Sequence, residues 1–485
     1  MNFNTIAALL GSMAMFTGSA MLAPLVLAVY REENSGVAVF LLAAFLTLTV
    51  AFELKSRSDP KEQTLSVREG IAITGLGWLM VSSLGMLPYL LGGHLNLLDS
   101  FTEAISGFSG TGATVINNVE ILPQSILLWR SMTGWIGGLG IVVVFMAILP
   151  QMGRGAMHIF RAESSTAERN RQFPRIRDNA VALFAIYLTL TSCCAGAYYF
   201  CGMDWFAALN HALATIATGG FSIHNDGIIG YESPALELCM SFFMIVAAVS
   251  FTLYLMALRH GFKMIRKSTE LKAYLCILAT AAFLIGVDLI VEMDFHSFDA
   301  YRYALFHVAS ISSTTAFVTN DFDAWPGFSK GILLMLMFMG GCAGSTAGGL
   351  KIARVVLLTK LLRLIMQKKL NEHLVQRIEM NGQIVPEEIL MSAGRFFFAY
   401  LMVDVIFAAV MIVDGIELTD AVGVAVSTLG SVGPGFGISG AFSNYSLLPP
   451  LSKIFACLVM FMGRLEIFTV LALLSPEFWR RDKGW

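Results

Sequence analysis

The sequence predicts an all-α polytopic membrane protein in which four fused repeats of helix, pore half-helix and helix surround a central pore with pseudo-fourfold symmetry. Two extra transmembrane helices precede the repeats. The composition indicates a membrane protein. Of the 485 residues, 56% are hydrophobic and 14% are charged, and the mean hydropathy is +0.70. Soluble globular proteins do not show this balance. Apolar runs of about 18 residues or more recur, and each is long enough to cross roughly 30 Å of hydrocarbon as a helix. Four loops of one kind between these runs supply the repeat.

The apolar runs predict ten crossings. The first, from Ile6 to Tyr30, has no basic residue before it and is longer than the apolar region of a signal peptide, so we expect it to be retained as a span. The second covers 37–54. Four pairs follow, at 70–92 and 122–150, 179–202 and 236–258, 271–293 and 329–365, and 391–413 and 451–474.

Lysine and arginine are concentrated in alternate connections between these spans. The positive-inside rule places those connections, and both termini, in the cytoplasm. The formal net charge of −2 indicates nothing about partners, because the charge is segregated by loop. The inward basic residues are Lys55, Arg57, Lys61 and Arg68, then Arg154, Arg161, Arg169, Arg171, Arg175 and Arg177, then Arg259, Lys263, Arg266, Lys267 and Lys272, then those between Lys351 and Arg395, and finally Arg480, Arg481 and Lys483.

Each outward connection within a pair contains a short apolar stretch followed by one rich in glycine and threonine. A helix from Asp99 to Gly110 would be roughly 18 Å long, which enters the membrane without crossing it. This is the pattern of a re-entrant half-helix and loop. The four segments read SFTEAISGFSGTGATVINN from Ser100, ALNHALATIATGGFSIHND from Ala208, ALFHVASISSTTAFVTNDF from Ala304 and DAVGVAVSTLGSVGPGFG from Asp420.

The number of crossings per repeat decides how the repeats are related. Two full crossings is an even number, so successive repeats have the same orientation and are related by rotation about the membrane normal. Inverted repeats, which typify many symporters with a midplane site, need an odd number. Parity therefore favours a central pore.

One position is shared by the four loops. Aligned by pattern, Gly112, Gly219 and Gly433 take this position, and Ala316 takes it in the third repeat. Irregular backbone at membrane depth survives where it is buried or lines a watery cavity, and glycine reaches the positive φ angles that turn successive carbonyls inward. Thr111, Thr218 and Thr315 precede the position and can add hydroxyl or carbonyl oxygens. Oxygen lining without a carboxylate ring suits a monovalent cation better than calcium. If this pattern occurred in only one loop, these residues would more simply be interpreted as ordinary loop residues.

A glycine-rich segment, GGCAGSTAGG at 340–349, interrupts the span that begins near Phe328. Each glycine costs a helix roughly 1 kcal/mol relative to alanine, so a break is expected. The alternative is a small-residue packing face, since Gly340, Gly344 and Gly348 have GxxxG spacing. The candidate residues are Gly340, Gly341, Gly344, Ser345, Thr346, Gly348 and Gly349.

Arg464 is an intramembrane arginine, which is costly and therefore a functional candidate. Counted from the prolines that open the two spans, it lies within about a turn of the depth of Gly344. Glu466, two residues on, lies on another helix face and is not its natural partner. We interpret Arg464 as a cation that faces the pore against the 340–349 segment, the two together forming a gate. A structural salt bridge between helices is the alternative.

Other polar and sulfur-containing residues predict structural roles. The seven cysteines show no metal-ligand spacing and are interpreted as packing residues. His211 and His307 lie on the half-helices and are expected to be buried and hydrogen-bonded rather than ion ligands. No nucleophile elbow, Walker loop or metalloprotease helix is present in the sequence, so it is not expected to be an enzyme.

Several motifs taken together resemble a known family. They are SGTGATV at 109–115, ATGGFS at 217–222, SVGPGFG at 431–437, GGCAGSTAGGLK at 340–351 and MGRLEIFTVL at 462–471. The chain resembles, over nearly its whole length, the Trk/Ktr/HKT superfamily of potassium transporters and most closely its TrkH-type membrane subunits, which also carry two extra N-terminal spans.

This resemblance implies potassium uptake across the bacterial cytoplasmic (inner) membrane, a homodimer with one pore per subunit, and a cytosolic nucleotide-binding regulatory ring of the TrkA type. The bound ion would be K⁺, with no organic cofactor. Ala316 departs from the family's filter glycine, and its Cβ disfavours positive φ, so the third strand is expected to turn its carbonyl less fully. A symporter that couples potassium to sodium or protons stays open, because a filter fixes selectivity and not coupling.

The sequence is thereby divided into an N-terminal helix pair (1–69) and pore repeats at 70–178, 179–270, 271–390 and 391–485, the third containing the gate loop. The predicted K⁺-binding filter residues are Thr111, Gly112, Ala113, Thr218, Gly219, Gly220, Thr315, Ala316, Phe317, Val432, Gly433, Pro434 and Gly435.

Overall fold

The computed structural model is a bundle of apolar helices made of an N-terminal hairpin and four similar units. It describes residues 1, 3–56, 66–138, 140, 176–371 and 377–480. Six helices in this part are long and apolar enough to cross a membrane, and two bent helix pairs also qualify if each pair counts as one span. The second half of the predicted crossing at 122–150 and most of the basic connection after it lie outside the described residues.

The N-terminal hairpin packs beside the first unit. It consists of α1 (Phe3–Ala20), α2 (Leu22–Tyr30) and α3 (Asn34–Ser56). Glu33, at its turn, accepts hydrogen bonds from the backbone N–H of Gln124 (2.8 Å) and the hydroxyl of Ser125 (2.6 Å). These residues begin a helix of the first unit, where unpaired N–H groups favour a carboxylate. The hairpin is therefore attached to the bundle by a helix cap as well as by apolar packing.

Each unit opens with a long helix. These helices are α4 (Val67–Gly85, continued by α5, Leu87–Leu91), α8 (Ile176–Phe200), α13 (Thr269–Met293) and α17 (Glu387–Val413). Each is followed by a helix that is too short to cross roughly 30 Å at about 1.5 Å per residue. The four short helices are α6 (Leu97–Ser109), α9 (Trp205–Ala217), α14 (Ser297–Ser312) and α18 (Leu418–Leu429). The predicted half-helices are thus present in all four units.

The closing helices of the second, third and fourth units are broken, which the sequence predicted for the third unit only. The spans expected at 236–258 and 451–474 bend by 82° and 120° respectively. The second bend lies at Glu466, whose φ is 63°. The closing helices are α7 (Gln124–Gly138), α10 and α11 (Pro234–Ala247, Phe251–His260) with α12 (Lys263–Lys267), α15 and α16 (Gly327–Met339, Ile352–Leu370), and α19 and α20 (Pro450–Leu465, Ile467–Leu474) with α21 (Pro476–Trp479).

The break between α10 and α11 has a physical cause in another unit. The N–H of Cys342 donates to the carbonyl of Ala248, and the N–H of Phe251 donates to the carbonyl of Gly344, both at 2.9 Å. The 340–351 segment therefore replaces hydrogen bonds that a continuous helix would have made. The interruption at 340–351 and the break between α10 and α11 thus supply hydrogen-bond partners for each other.

The four units form a closed ring, in which each half-helix packs on the closing helix of the preceding unit. Lys453 of α19 pairs with Asp99 of α6 at 2.7 Å, which joins the fourth unit to the first. Arg302 of α14 approaches Glu237 of α10 at 3.4 Å. The half-helices are largely buried, and polar side chains on them donate to carbonyls one turn earlier, as Asn210 does to Phe206 (2.8 Å).

One small strand pair lies outside the helical bundle. Strands β1 (Glu379–Met380) and β2 (Gln383–Ile384) form an antiparallel hairpin between α16 and α17. Its turn residues, Asn381 and Gly382, both have positive φ. Asn-Gly is the pair that a two-residue type I′ turn favours.

Candidate functional site

The four half-helices end in the same backbone conformation. A residue with a left-handed φ follows each half-helix within two positions, namely Gly110 (75°), Thr218 (54°), Thr314 (57°) and Ser431 (55°). A second left-handed residue follows two positions later in each unit, at Gly112 (74°), Gly220 (63°), Ala316 (61°) and Gly433 (102°). We call the last four residues and those just before them (Thr111, Gly219, Thr315 and Val432) the central ring. The pattern gives each unit an equivalent pair of ring residues.

Hydrogen bonds confirm this register independently. The N–H groups of Thr111, Gly219, Thr315 and Val432 donate to the carbonyl five residues earlier, at 3.0, 2.9, 2.9 and 2.8 Å. The sequence alignment that placed Gly219 beside Gly112 is therefore wrong by one residue. Gly220 is the counterpart of Gly112, Gly219 that of Thr111, and Thr218 that of Gly110. The adjacent glycines made the choice ambiguous in the sequence, and the point at which α9 ends decides it.

Three ring glycines, Gly112, Gly220 and Gly433, lie directly against the next unit. A methyl group added at Gly112 would collide with the carbonyl oxygen of Gly219, and one at Gly220 would collide with that of Thr315. At Gly433 it would lie 2.5 Å from the carbonyl oxygen of Thr111. The contacts run from the first unit to the second, the second to the third, and the fourth back to the first.

Ala316 adopts the left-handed conformation despite its Cβ, so the expectation that this strand would turn less fully is not met. For a non-glycine residue this conformation costs roughly 1–2 kcal/mol. The local hydrogen bonds hold it there: the N–H of Ala316 donates to the carbonyl of Ser310 (3.1 Å), and the hydroxyl of Ser310 donates to the carbonyl of Phe317 (2.7 Å).

A buried polar group supports the ring segment in three units. His211 and His307 are fully buried, as predicted, with Nε2 atoms 3.3 Å from the Ser222 hydroxyl and 3.1 Å from the Asn320 carbonyl oxygen. At the corresponding place on α6 lies Glu103, also fully buried. The sequence analysis missed it, although a glutamate within an apolar half-helix was a visible signal.

Glu103 connects two ring segments through Arg130 of α7. Its carboxylate accepts from the N–H of Val115 (2.9 Å) and from Nε of Arg130 (2.8 Å). Nη1 of Arg130 donates in turn to the carbonyl of Ser222 at 3.0 Å. The pair is buried and has further hydrogen bonds on both sides, the condition under which a buried ion pair is tolerated.

The fourth unit has an apolar residue, Val424, in this place and uses hydroxyl groups instead. Ser427 and Tyr445 both donate to the carbonyl of Gly433 at 2.7 Å. The backbone N–H of Tyr445 also donates to the carbonyl of Thr114 at 2.8 Å. Tyr445 thus ties the fourth ring segment to the first.

A cavity of about 140 Å³ opens on the side of the ring away from the half-helices and is lined by all four units. Gly112, Gly220, Ala316 and Gly433 all border it. Among the described residues no aspartate or glutamate lines it. Arg130, which does, is neutralised by Glu103. The lining therefore offers a cation mainly neutral oxygens.

The segment 340–351 is irregular and lies against the inner ends of the half-helices. Its glycines Gly340, Gly344 and Gly349 have positive φ, so the chain turns where a helix would continue, and the alternative of a continuous GxxxG helix face is wrong. The N–H of Gly348 donates to the Thr314 hydroxyl (2.8 Å), and the Thr346 hydroxyl donates to the carbonyl of Ile216 (3.1 Å). The segment thus touches the residues directly below the ring.

Arg464 contacts this segment from the end of α19. Nη1 donates to the carbonyl of Thr346 at 3.3 Å, and Nη2 donates to the carbonyl of Gly138 at 2.9 Å. The guanidinium lies 5.7 Å from the ring centroid of Trp78. Glu466 instead pairs with Arg354 of α16 at 2.5 Å, as the helix-face argument required. The arginine connects the fourth unit, the irregular segment and the first unit.

Comparisons with known proteins agree with this architecture. A family model described as TrkH, a cation transport protein, matches residues 35–481. The chain is 34% identical to the Trk system potassium uptake protein TrkH of Halomonas elongata over 489 residues, and 34% identical to that of Escherichia coli K12 over 485, each alignment covering 99% of this chain and all of the relative. A crystal structure of the potassium transporter TrkH from Vibrio parahaemolyticus superimposes with a TM-score of 0.89 at 33% identity, covering 99% of this chain and 100% of that one.

Proposed function

We propose that this chain, which belongs to the TrkH family of cation transport proteins, carries potassium inward across the bacterial cytoplasmic membrane. The observation that carries the proposal is the ring itself, in which four equivalent backbone segments converge on one cavity. The relatives are potassium uptake proteins by name.

Backbone oxygens of the ring would replace the water that an entering ion loses. The hydroxyls of Thr111 and Thr315 are held by those of Ser109 (2.7 Å) and Ser313 (2.8 Å), so we assign ion contact to carbonyls. The half-helices direct their negative dipole ends at the ring, which attracts a cation without a fixed carboxylate. A monovalent ion can then bind and leave.

The irregular segment 340–349 and Arg464 would form the gate below the filter. A chain segment across the path obstructs it, and a guanidinium in a passage of low dielectric raises the barrier for any cation.

We place the basic connections and both termini in the cytoplasm by the positive-inside rule. The working form would be a homodimer with a pore in each subunit, controlled by a TrkA-type nucleotide-binding assembly on the inward face.

The first prediction tests the register of the ring with two adjacent glycines. Gly220→Ala should lower potassium uptake at least about tenfold, because its Cβ would meet a carbonyl oxygen and its φ is 63°. Gly219→Ala is the matched control, since its Cβ would meet nothing closer than 3.9 Å. Uptake is measured in a potassium-requiring strain with matched membrane levels of protein. Equal uptake by the two variants would contradict the assignment.

The second prediction concerns ion selectivity. Ala316→Gly should raise the permeability of potassium relative to sodium, because the third segment could then approach its neighbour as closely as the three glycines do. Reversal potentials in a reconstituted patch, with potassium, sodium and pH varied separately, measure this permeability ratio.

The same measurement on the unchanged protein separates two mechanisms. A reversal potential that follows potassium alone supports a channel-like translocator. One that moves with sodium or protons at fixed potassium would favour the symporter.

The third prediction tests the gate. Arg464→Ala, or deletion of residues within 340–349, should raise potassium flux about tenfold, the factor that corresponds to a barrier lowered by roughly 1.4 kcal/mol. Arg395→Ala, an exposed arginine on α17, is the control and should have no effect. If correctly inserted, dimeric protein shows lower flux for both changes, the segment is a packing or cation-binding element and not a gate.

The fourth prediction concerns the regulatory partner. A TrkA-type protein should co-purify with this chain and change its conductance when its nucleotide is exchanged. Charge reversal at Lys368 and Lys369, both exposed at the end of α16, should weaken the complex, and Asp226→Lys on the outward side should not. Binding that is indifferent to the inward lysines, or a conductance indifferent to nucleotide, would argue against this partner.

A further inference from the structure

We propose that Glu270 is a positioning residue that holds the gate loop closed, and that the β1–β2 hairpin controls it through Thr269. The inference rests on the gate proposed above and names the part of the protein that would operate it. Glu270 lies in the first turn of α13, outside the set of residues that the sequence analysis singled out.

One carboxylate oxygen joins the two ends of the loop. Oε1 of Glu270 accepts from the N–H of Ala343 at 2.6 Å and from the N–H of Ala353 at 3.1 Å. Ala343 lies within the loop, and Ala353 lies in the first turn of α16, the helix that follows it. Hydrogen bonds to a carboxylate are stronger than those between neutral groups, and the second one also caps a helix N-terminus. Without this oxygen, the loop and α16 would lose their common anchor.

The hairpin is bound to the residue next to this anchor. Oδ1 of Asn381 accepts from the N–H of Thr269 at 2.8 Å, and the N–H of Asn381 donates to the Thr269 hydroxyl at 3.4 Å. The N–H of Thr269 is among the first of α13, which have no acceptor within their own helix. Asn381 therefore caps α13 from outside, one residue from Glu270.

An apolar cluster joins the same parts a second time. The hairpin, the loop and both flanking helices share one small buried core, separate from the main cores of the bundle. Its members are Ala343, Ala353, Leu357, Ile378, Met380, Ile389 and Leu390. In addition, Nζ of Lys360 on α16 donates to the carbonyl of Glu379 at 2.6 Å. Displacing the hairpin would disturb α13, α16 and the loop together.

The hairpin is also accessible to a soluble partner on the inward side. Ile384, at the end of β2, is 53% exposed. A partner that bound and moved the hairpin would withdraw the cap from Thr269 and shift Glu270, so that closed and open loops would differ in a small set of hydrogen bonds. The loss of these few hydrogen bonds would change the free-energy difference between the closed and the open loop.

The experiment measures potassium flux through the full-length protein in liposomes without any regulator. Glu270→Ala should raise this flux about fivefold, and Asn381→Gly about two- to threefold, since each removes an acceptor that holds the closed form. Glycine retains the left-handed turn at 381, so the hairpin itself should survive. Asn381→Asp keeps an acceptor and should behave as wild type. Glu388→Ala, an exposed glutamate next to the hairpin, is the control.

Two further measurements separate coupling from general damage. Thermal unfolding in detergent should show that Asn381→Gly and Asn381→Asp are both fully folded at the temperature of the flux measurement, so that a difference between their fluxes does not come from unfolding. The flux of the Glu270→Ala/Asn381→Gly double variant should fall short of the product of the single effects, because both act on one path. If Glu270→Ala does not insert, Glu270→Gln, which keeps a weaker neutral acceptor, should raise flux by less than fivefold but above wild type.

The outcomes distinguish this proposal from the gate itself. Wild-type flux in the Glu270 and Asn381 variants, together with raised flux on loop deletion, would overturn the coupling and leave the gate intact. Unchanged flux on loop deletion as well would overturn both. Fully multiplicative single effects would also contradict a shared path.

Discussion

Backbone groups that leave a helix inside a membrane must find partners within the protein, and the structure of this chain depends on that requirement. Hydrocarbon offers no replacement for a lost hydrogen bond. The two interruptions at 248–250 and 340–351 satisfy each other through the pairs Cys342–Ala248 and Phe251–Gly344. In the ring, the N–H groups of Thr111, Gly219, Thr315 and Val432 meet the same requirement by donating back to their own half-helices. The irregular regions are possible only because the units close around them.

Fourfold symmetry is obeyed by the backbone and not by the side chains. The paired left-handed residues recur at one register in all units, whereas the groups behind them are a glutamate–arginine pair, two histidines and, in the fourth unit, hydroxyls from Ser427 and Tyr445. Each of these groups holds an irregular strand against its half-helix through buried hydrogen bonds. The sequence can diverge behind the ring because several chemistries provide an acceptor or donor there. At the second left-handed position of each segment, by contrast, three units have glycine, where a Cβ would meet a neighbouring carbonyl oxygen, and the third unit has Ala316.

These facts explain how far the sequence alone could lead. The spans, the half-helices, the broken third span and the burial of His211 and His307 follow from hydropathy, length and residue type. The ring position of Gly220 did not follow from the sequence, because the residue at which α9 ends decides which of the two adjacent glycines takes that position, and the sequence does not show this residue. The bend near Ser250 was not predicted because the groups that replace its helical hydrogen bonds lie in another unit, and the bend at Glu466 was not predicted either. The hairpin was overlooked although Asn381-Gly382 is a strong turn signal, and Glu270 gives no local sign, because its importance arises from residues about 70 and 80 positions further along the chain.

Separate sets of hydrogen bonds hold the ring and the 340–349 segment. The bonds that define the ring, such as that from the N–H of Thr315 to the carbonyl of Ser310, lie within single units. The loop touches the ring region through Gly348 and Thr346, which bond to groups at the ends of the half-helices. Breaking those contacts frees a hydroxyl and a carbonyl that water entering from the opened passage can satisfy. The loop can therefore move without breaking the ring's own hydrogen bonds. In the proposed mechanism, a regulator would then need to change only the path to the ring and not the ring itself.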